Sequence, residues 1–306
     1  MEKQEFNDLL QVKTKELDRI IQGFLPPEEG WQKTVIRAMN YSVRAGGKRL
    51  RPMLMLESYR MFGGKGTEIE PFLAAIEMIH TYSLVHDDLP AMDNDEYRRG
   101  QETTWKVYGE AMAILAGDGL LNYAFETALK AFDRVDKTDP EALKRVADAL
   151  AVLAREAGIY GMIGGQTVDI EAETQPEPVT EAQLTFIHEC KTGALIVASM
   201  KVGAILAGAS KEQLRTLEKC AEDIGMAFQI QDDILDVVGD SKELGKPVGS
   251  DEENHKQTYV TLYGLEEAKR LVETLSEEAV EVYLKSIDGE HEFLEQLILM
   301  LSGRRK

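Results

Sequence analysis

At 306 residues with 43% hydrophobic content, the chain can bury a substantial core, as one large domain or two modest ones, and no stretch reads as a linker. A formal net charge of −19 argues against nucleic acid and anionic membrane surfaces as partners, and obliges any anionic substrate to find a locally positive pocket. Cys190 and Cys220 lack metal-ligand spacing and sit in helical patterns, so both are expected as inert buried thiols in a reducing compartment.

The opening run Met1-Glu2-Lys3-Gln4-Glu5 carries no apolar signal core, and the expected location is the cytoplasm. Helix signals dominate and strand alternation is scarce. The spacing of apolar residues, caps and Gly or Pro stops predicts helices over 3–24, 30–44, 48–62, 70–88, 102–115, 118–133, 140–157, 161–173, 180–208 (bent at Thr192-Gly193), 211–238, 259–286 and 290–302. The expected fold is an all-α helical bundle, one domain over 1–306. Asp139-Pro140-Glu141 reads as an N-cap with proline at the first helical position. Thr180 with Gln183, and Ser210 with Gln213, read as capping boxes. Only Gly193 to Ala209 tempts a membrane-spanning reading; Lys201 at its centre and its Gly and Ala content favour a buried helix and no stable membrane association.

Taken in order, the first chemically suggestive run is Gly46-Gly47-Lys48-Arg49-Leu50-Arg51-Pro52, which opens a helix with three cations after two glycines. Backbone N–H groups and positive side chains there are expected to converge on an anion. Next comes Asp87-Asp88-Leu89-Pro90-Ala91-Met92-Asp93. Pro90 cannot continue the helix, so Asp87 and Asp88 fall on its last turn and Asp93 returns from the following loop. Carboxylates at a helix C-terminus oppose the macrodipole unless a cation neutralises them. Arg98-Arg99-Gly100 follows, supplying guanidinium groups whose fork suits phosphate.

The second acidic cluster, Asp232-Asp233-Ile234-Leu235-Asp236, places Gln229, Asp232, Asp233 and Asp236 at i, i+3, i+4 and i+7, one stripe of one helix. In so acidic a protein any single carboxylate is more often solvated than a ligand. Two clusters crowded by apolar residues instead suggest Mg²⁺, which prefers oxygen ligands and completes its octahedron with water and substrate phosphate. A diphosphate held between the clusters is the expected ligand. His80 alone reads as a core histidine, Lys191-Thr192 as a helix bend, and Lys246 and Lys256 as solvated loop lysines; their joint order gives them weight.

That order resembles the head-to-tail trans-prenyl diphosphate synthases, and among them the bacterial farnesyl type. The matching elements are Gly46 to Pro52, Glu77-Met78-Ile79-His80-Thr81-Tyr82-Ser83-Leu84, Arg98-Arg99-Gly100, Gly164-Gly165-Gln166 with Asp169, Lys191-Thr192-Gly193, Phe228-Gln229, and Leu244-Gly245-Lys246 with Lys256 to Tyr259. The resemblance implies a homodimer of all-α subunits acting on small isoprenoid diphosphates. It implies that Gly47, Lys48, Arg51, His80 and Arg99 hold isopentenyl diphosphate. Asp87, Asp88, Asp93, Asp232, Asp233 and Asp236 would bind Mg²⁺, three ions by family analogy, with Mn²⁺ as a substitute. Arg98, Lys191, Thr192, Gln229, Lys246 and Lys256 would surround the allylic diphosphate, with Asp87, Asp88, Asp93, Arg98, Lys191, Gln229, Asp232 and Lys246 as the catalytic set.

The implied chemistry is ionisation of the allylic diphosphate, with no protein nucleophile. Water must be excluded, and the segment 239–257 is the expected lid, while Arg304-Arg305-Lys306 reads as a solvated tail. Tyr82, about 7.5 Å back along the helix from Asp87, is the expected stop for a fifteen-carbon product, Ser83 beside it being too small. A ten- or twenty-carbon synthase shares every motif. A terpene cyclase is disfavoured by the second Asp cluster with Lys48 and Arg51, and a silent partner subunit by the presence of all six Asp.

Overall fold

The computed structural model describes residues 1–238 and 257–303, so Lys246, Lys256, nearly all of the expected lid and the Arg304 to Lys306 tail lie outside the described residues. In chain order the α-helices are α1 (Lys3–Gly23), α2 (Lys33–Arg44), α3 (Leu50–Met61), α4 (Ile69–Asp87), α5 (Thr104–Tyr108), α6 (Glu110–Leu129), α7 (Pro140–Ala157), α8 (Met162–Thr174), α9 (Glu181–Ile187), α10 (Ala194–Ala207), α11 (Lys211–Val238), α12 (Tyr259–Tyr263), α13 (Leu265–Glu277) and α14 (Glu292–Ser302). Among the described residues the only strands are Tyr97–Arg98 and Gln101–Glu102, an antiparallel pair. The fold is all-α, as the periodicity predicts. Contacts divide the chain into two compact units, one of residues 2–56 and 65–150, the other of Met1, 57–64 and 151–306.

In the first unit α4 is the central element. Phe72, Leu73, Ala74, Ala75, Ile76, Met78 and Ile79 are all buried, so this helix is apolar around most of its circumference and needs neighbours on several sides. It packs against α6, with α1 and α2 also beside it. The predicted break near residue 116 is absent. The chain breaks instead at Gly109, whose φ of +85° ends α5 and starts α6. Gly117 and Gly119 stay helical because each lets another side chain approach: a Cβ at 117 would stand 2.0 Å from His86 Nε2, and one at 119 would stand 2.9 Å from Met39 Sδ.

In the second unit α10 is almost wholly buried, which agrees with the reading of that run as a core helix. The expected bend at Thr192-Gly193 is a π-helical turn over His188–Gly193, wedged between α8 and α11. Gly225 of α11 lies against Gly193, and Gly165 of α8 lies against the backbone of Lys191. The predicted helix 259–286 is interrupted at Gly264 (φ +84°), and a second π-helical turn spans Glu278–Tyr283. The caps form as read: Thr180 with Gln183, Ser210 with Gln213, and Asp139 accepting the Glu141 N–H at 2.9 Å. Cys220 is buried as expected, but Cys190, within the π turn, is only half-buried.

Candidate active site

The first acidic cluster is built by the way α4 ends. The Asp88 N–H bonds to the carbonyls of Leu84 and His86, and the chain then turns through Pro90 so that the Asp93 N–H reaches the Asp87 carbonyl at 2.8 Å. Asn94, with φ +56°, donates its N–H to the Leu89 carbonyl at 3.1 Å and closes the turn. Asp93 therefore does return to the helix end.

Asp88 is 3% exposed, and the Arg98 Nε–H donates to its Oδ1 at 2.6 Å. Burial pushes its carboxyl up to about 6 against the pull of Arg98, and Asp95 and Asp93 push the same way. A carboxylate so placed is in want of positive charge.

The strand pair aims Arg98 and Arg99 in different directions. Arg99 has φ +53° and donates to the Gly46 carbonyl, its guanidinium lying where a Cβ on Gly47 would be, 2.6 Å from Nη1. Gly47 is thus required by a close approach as well as by its φ of +140°.

Three cations after two glycines do not all converge. Arg49 turns inward and is buried with Glu77, donating to its Oε1 at 2.5 Å, to Asp18 Oδ1 at 2.6 Å and to the Val43 carbonyl at 2.9 Å. Arg49 has φ +50° and precedes the first turn of α3, where its carbonyl accepts the Met53 N–H at 3.0 Å. Lys48 stays exposed.

Arg51 is different, since its Nε is buried without a hydrogen-bond partner and burial, opposed by Glu77 and reinforced by Arg99, lowers its pKa to about 10. His80 faces the same cluster. Desolvation, then Arg51, Arg99, Arg98 and Arg49, hold its pKa well below the usual imidazole value, so it is neutral. An unpartnered guanidinium N–H beside a histidine surrounded by cations is an electrostatic setting that suits an anion.

Tyr82 is buried, and burial with the charge of Asp87 pushes its phenol up to about 12. Its ring meets His86 edge to face, centroids 5.8 Å apart. Ser83 donates to the His80 carbonyl at 2.9 Å and leaves its small side chain half-buried.

In the second unit a cavity of about 620 Å³ is lined by Asp169, His188, Lys191, Gln229, Asp232 and Asp233, with the loop from Gln175 to Val179 at its side. Lys191 leaves the π turn and donates to Asp169 Oδ2 at 2.5 Å, and Thr192 donates to Gln229 Oε1. Asp233 is buried, its Oδ2 accepting the Tyr259 N–H at 2.9 Å at the start of α12. Asp236 is buried as well. One residue here escapes sequence reasoning. His188 is 6% exposed, stacks on Tyr259 at 5.3 Å, and has its Nε2 4.0 Å from Asp233 Oδ2. Nothing in its spacing separates it from an ordinary core histidine.

Among the described residues no group of three or more His, Cys, Asp or Glu side chains forms a ready metal cage. The donors present still fit Mg²⁺. They are all oxygen, they occur in two short clusters, and Asp88 is held where a cation would relieve it. That ion binds through one or two carboxylates and takes water and phosphate for the rest.

A helical fold that sets acidic clusters beside a group of cations is the arrangement of an enzyme that handles phosphate esters through charge. Residues 32–287 match the polyprenyl synthetase family. A farnesyl diphosphate synthase of Geobacillus stearothermophilus is 44% identical over 268 residues, 88% of each chain. A geranylgeranyl diphosphate synthase of Cyanophora paradoxa is 44% identical over 247 residues, 81% of this chain and 80% of that one. The crystal structure of a geranyltransferase from Helicobacter pylori, complexed with magnesium and isoprenyl diphosphate, superposes with a TM-score of 0.81 at 32% identity, covering 96% of this chain and 95% of that one. The chain belongs to the polyprenyl synthetase family and is a transferase of prenyl groups.

Proposed function

We propose that the protein condenses isopentenyl diphosphate head to tail with dimethylallyl diphosphate and then with geranyl diphosphate, giving (2E,6E)-farnesyl diphosphate. The observation that carries this reading is the cationic pocket of Arg51, His80 and Arg99 beside Asp88 in a chain of net charge −19. In so acidic a protein, Arg51 and Arg99 gathered beside a neutral imidazole give an anion the locally positive seat it needs.

Gly47, Lys48, Arg51, His80 and Arg99 hold the diphosphate of isopentenyl diphosphate. His80, being neutral, donates an N–H rather than a charge, and Arg51 brings an unused N–H. Asp87, Asp88, Asp93, Asp232, Asp233 and Asp236 supply oxygens to Mg²⁺, three ions in all, for which Mn²⁺ substitutes. When bound, the ions act as Lewis acids that stabilise the charge on the departing diphosphate. Arg98, Lys191, Thr192, Gln229, Lys246 and Lys256 surround the allylic diphosphate and hold it in line as its carbon–oxygen bond breaks. The double bond of isopentenyl diphosphate then attacks the allylic cation, and the proton lost passes to the released diphosphate.

Tyr82 limits the product to fifteen carbons. Its burial gives the ring fixed neighbours, as a stop requires. The residues 1–306 act as one catalytic domain. The working form is a cytoplasmic homodimer, a reading supported by the exposed apolar side chains Ile114 and Leu115 on α6. A twenty-carbon product is the second reading, favoured by the geranylgeranyl-forming relative. Incubation with Mg²⁺, isopentenyl diphosphate and dimethylallyl diphosphate followed by chromatography of the dephosphorylated products tests both. Farnesol as the main product supports the first reading, geranylgeraniol the second, and no condensation defeats both.

A further inference from the structure

We infer that His86 and Gly117 are positioning residues for product length, acting together across the packing of α4 on α6 to hold the Tyr82 ring in place. The inference rests on the chain-length reading of Tyr82 above and adds the groups through which that ring is fixed.

His86 follows Tyr82 by four residues, so both lie on one face of α4. Their rings meet at 83° with centroids 5.8 Å apart, the edge-to-face arrangement that an aromatic quadrupole favours. The far edge of the imidazole is also held. Its Nε2 lies 3.1 Å from the Ile114 carbonyl, and a carbonyl can only accept, so Nε2 carries the hydrogen. The exposed Asp118 carboxylate stands 3.9 Å from the same nitrogen.

The imidazole fits there because residue 117 has no side chain. A Cβ would come within 2.0 Å of Nε2 and 2.3 Å of Cδ2. Glycine is a poor helix former, and its use well inside α6 is explained by this approach. Tyr82 is thus braced by a side chain whose own rotamer is set by a glycine and a carbonyl on the opposite helix. A residue far from either acidic cluster in sequence, Gly117, then governs how firmly the stop is held.

The test is the product distribution of Tyr82→Ala, His86→Ala, Gly117→Ala and the double variant Tyr82→Ala/His86→Ala. A product ratio does not depend on the amount of folded enzyme. Gly117→Ala displaces the imidazole without deleting it, and alanine is the better helix former, so this variant keeps the fold. The expected result is a rise of at least about threefold in the ratio of longer to fifteen-carbon products for His86→Ala and Gly117→Ala, with no further change on adding His86→Ala to Tyr82→Ala, because groups acting through one another are non-additive. Longer products from Tyr82→Ala together with an unchanged ratio in both other single variants overturns the brace and leaves the Tyr82 reading standing. Additive effects in the double variant overturn it too. If Tyr82→Ala leaves chain length unchanged, the chain-length reading fails, and the brace fails with it whatever His86→Ala does.

Discussion

The Nζ of Lys191 lies 2.5 Å from Oδ2 of Asp169, so the lysine reaches the cavity already paired with a carboxylate from α8. That pair holds the ammonium at the wall of a cavity that Gln229 and Asp232 also line. Lys191→Ala is expected to lower kcat/KM for the allylic substrate about 100-fold, the scale of a lost oxyanion contact. Steady-state kinetics checks it, and an equal rise in KM for isopentenyl diphosphate would count against the division of the substrates.

Chelation of divalent ions should abolish turnover and leave the helical circular dichroism unchanged. The described carboxylates do not converge into a cage on which the fold could depend. A collapse of secondary structure on adding chelator would show the opposite.

Glu77 and Arg49 form a buried pair, each side chain 2% exposed. Removing Glu77 takes away the buried carboxylate and leaves the guanidinium to the half-buried Asp18. Glu77→Ala should cost about 3–5 kcal/mol in urea unfolding, the range for a broken buried ion pair. A loss under about 1 kcal/mol would place the pair with surface ion pairs.

Asp223 gives a pH prediction away from the site. Burial, then Glu278 and Glu222, raise its carboxyl to about 6, Lys219 opposing, and its Oδ2 has no hydrogen-bond partner. The native chain therefore binds this proton more tightly than the unfolded chain does. This group's contribution is most favourable below the unfolded value near 4 and is lost as pH rises through 6. Asp223→Asn should raise the thermal midpoint at pH 7.5 by a few degrees and change it little at pH 4. Equal shifts at both values would refute the titration.

Gly165→Ala tests the packing that sets the π turn. The added Cβ would meet the Lys191 nitrogen at 2.1 Å, and backbone cannot swing aside as a side chain can. The expected cost is about 1–3 kcal/mol, as for overpacking elsewhere, with turnover falling further than stability alone explains because Lys191 moves.

Periodicity and punctuation carry most of this fold. The all-α architecture, the return of Asp93 toward Asp87 and the buried character of α10 follow from apolar spacing, Pro90 and the composition around Lys201. What escaped is set by tertiary contact. Gly117 looks like a helix breaker in sequence, yet it is the gap into which His86 fits, so the real break falls at Gly109. Arg49 sits in a basic run but finds Glu77 and Asp18, which no local pattern announces. The π turn at residues 188–193 packs against two glycines on other helices, Gly165 and Gly225, a tertiary feature with no local signal. The acidic clusters were legible because they break the apolar pattern around them; His188 was not, because a buried imidazole does not.

Asp233 gives one of its oxygens to the N–H that opens α12. A cation settling there would meet an anion whose donor capacity is already divided, and would be gripped less firmly than by an uncommitted carboxylate. For a catalyst that repeats its reaction on its own product, a loose hold is an advantage, since each cycle must end in letting go.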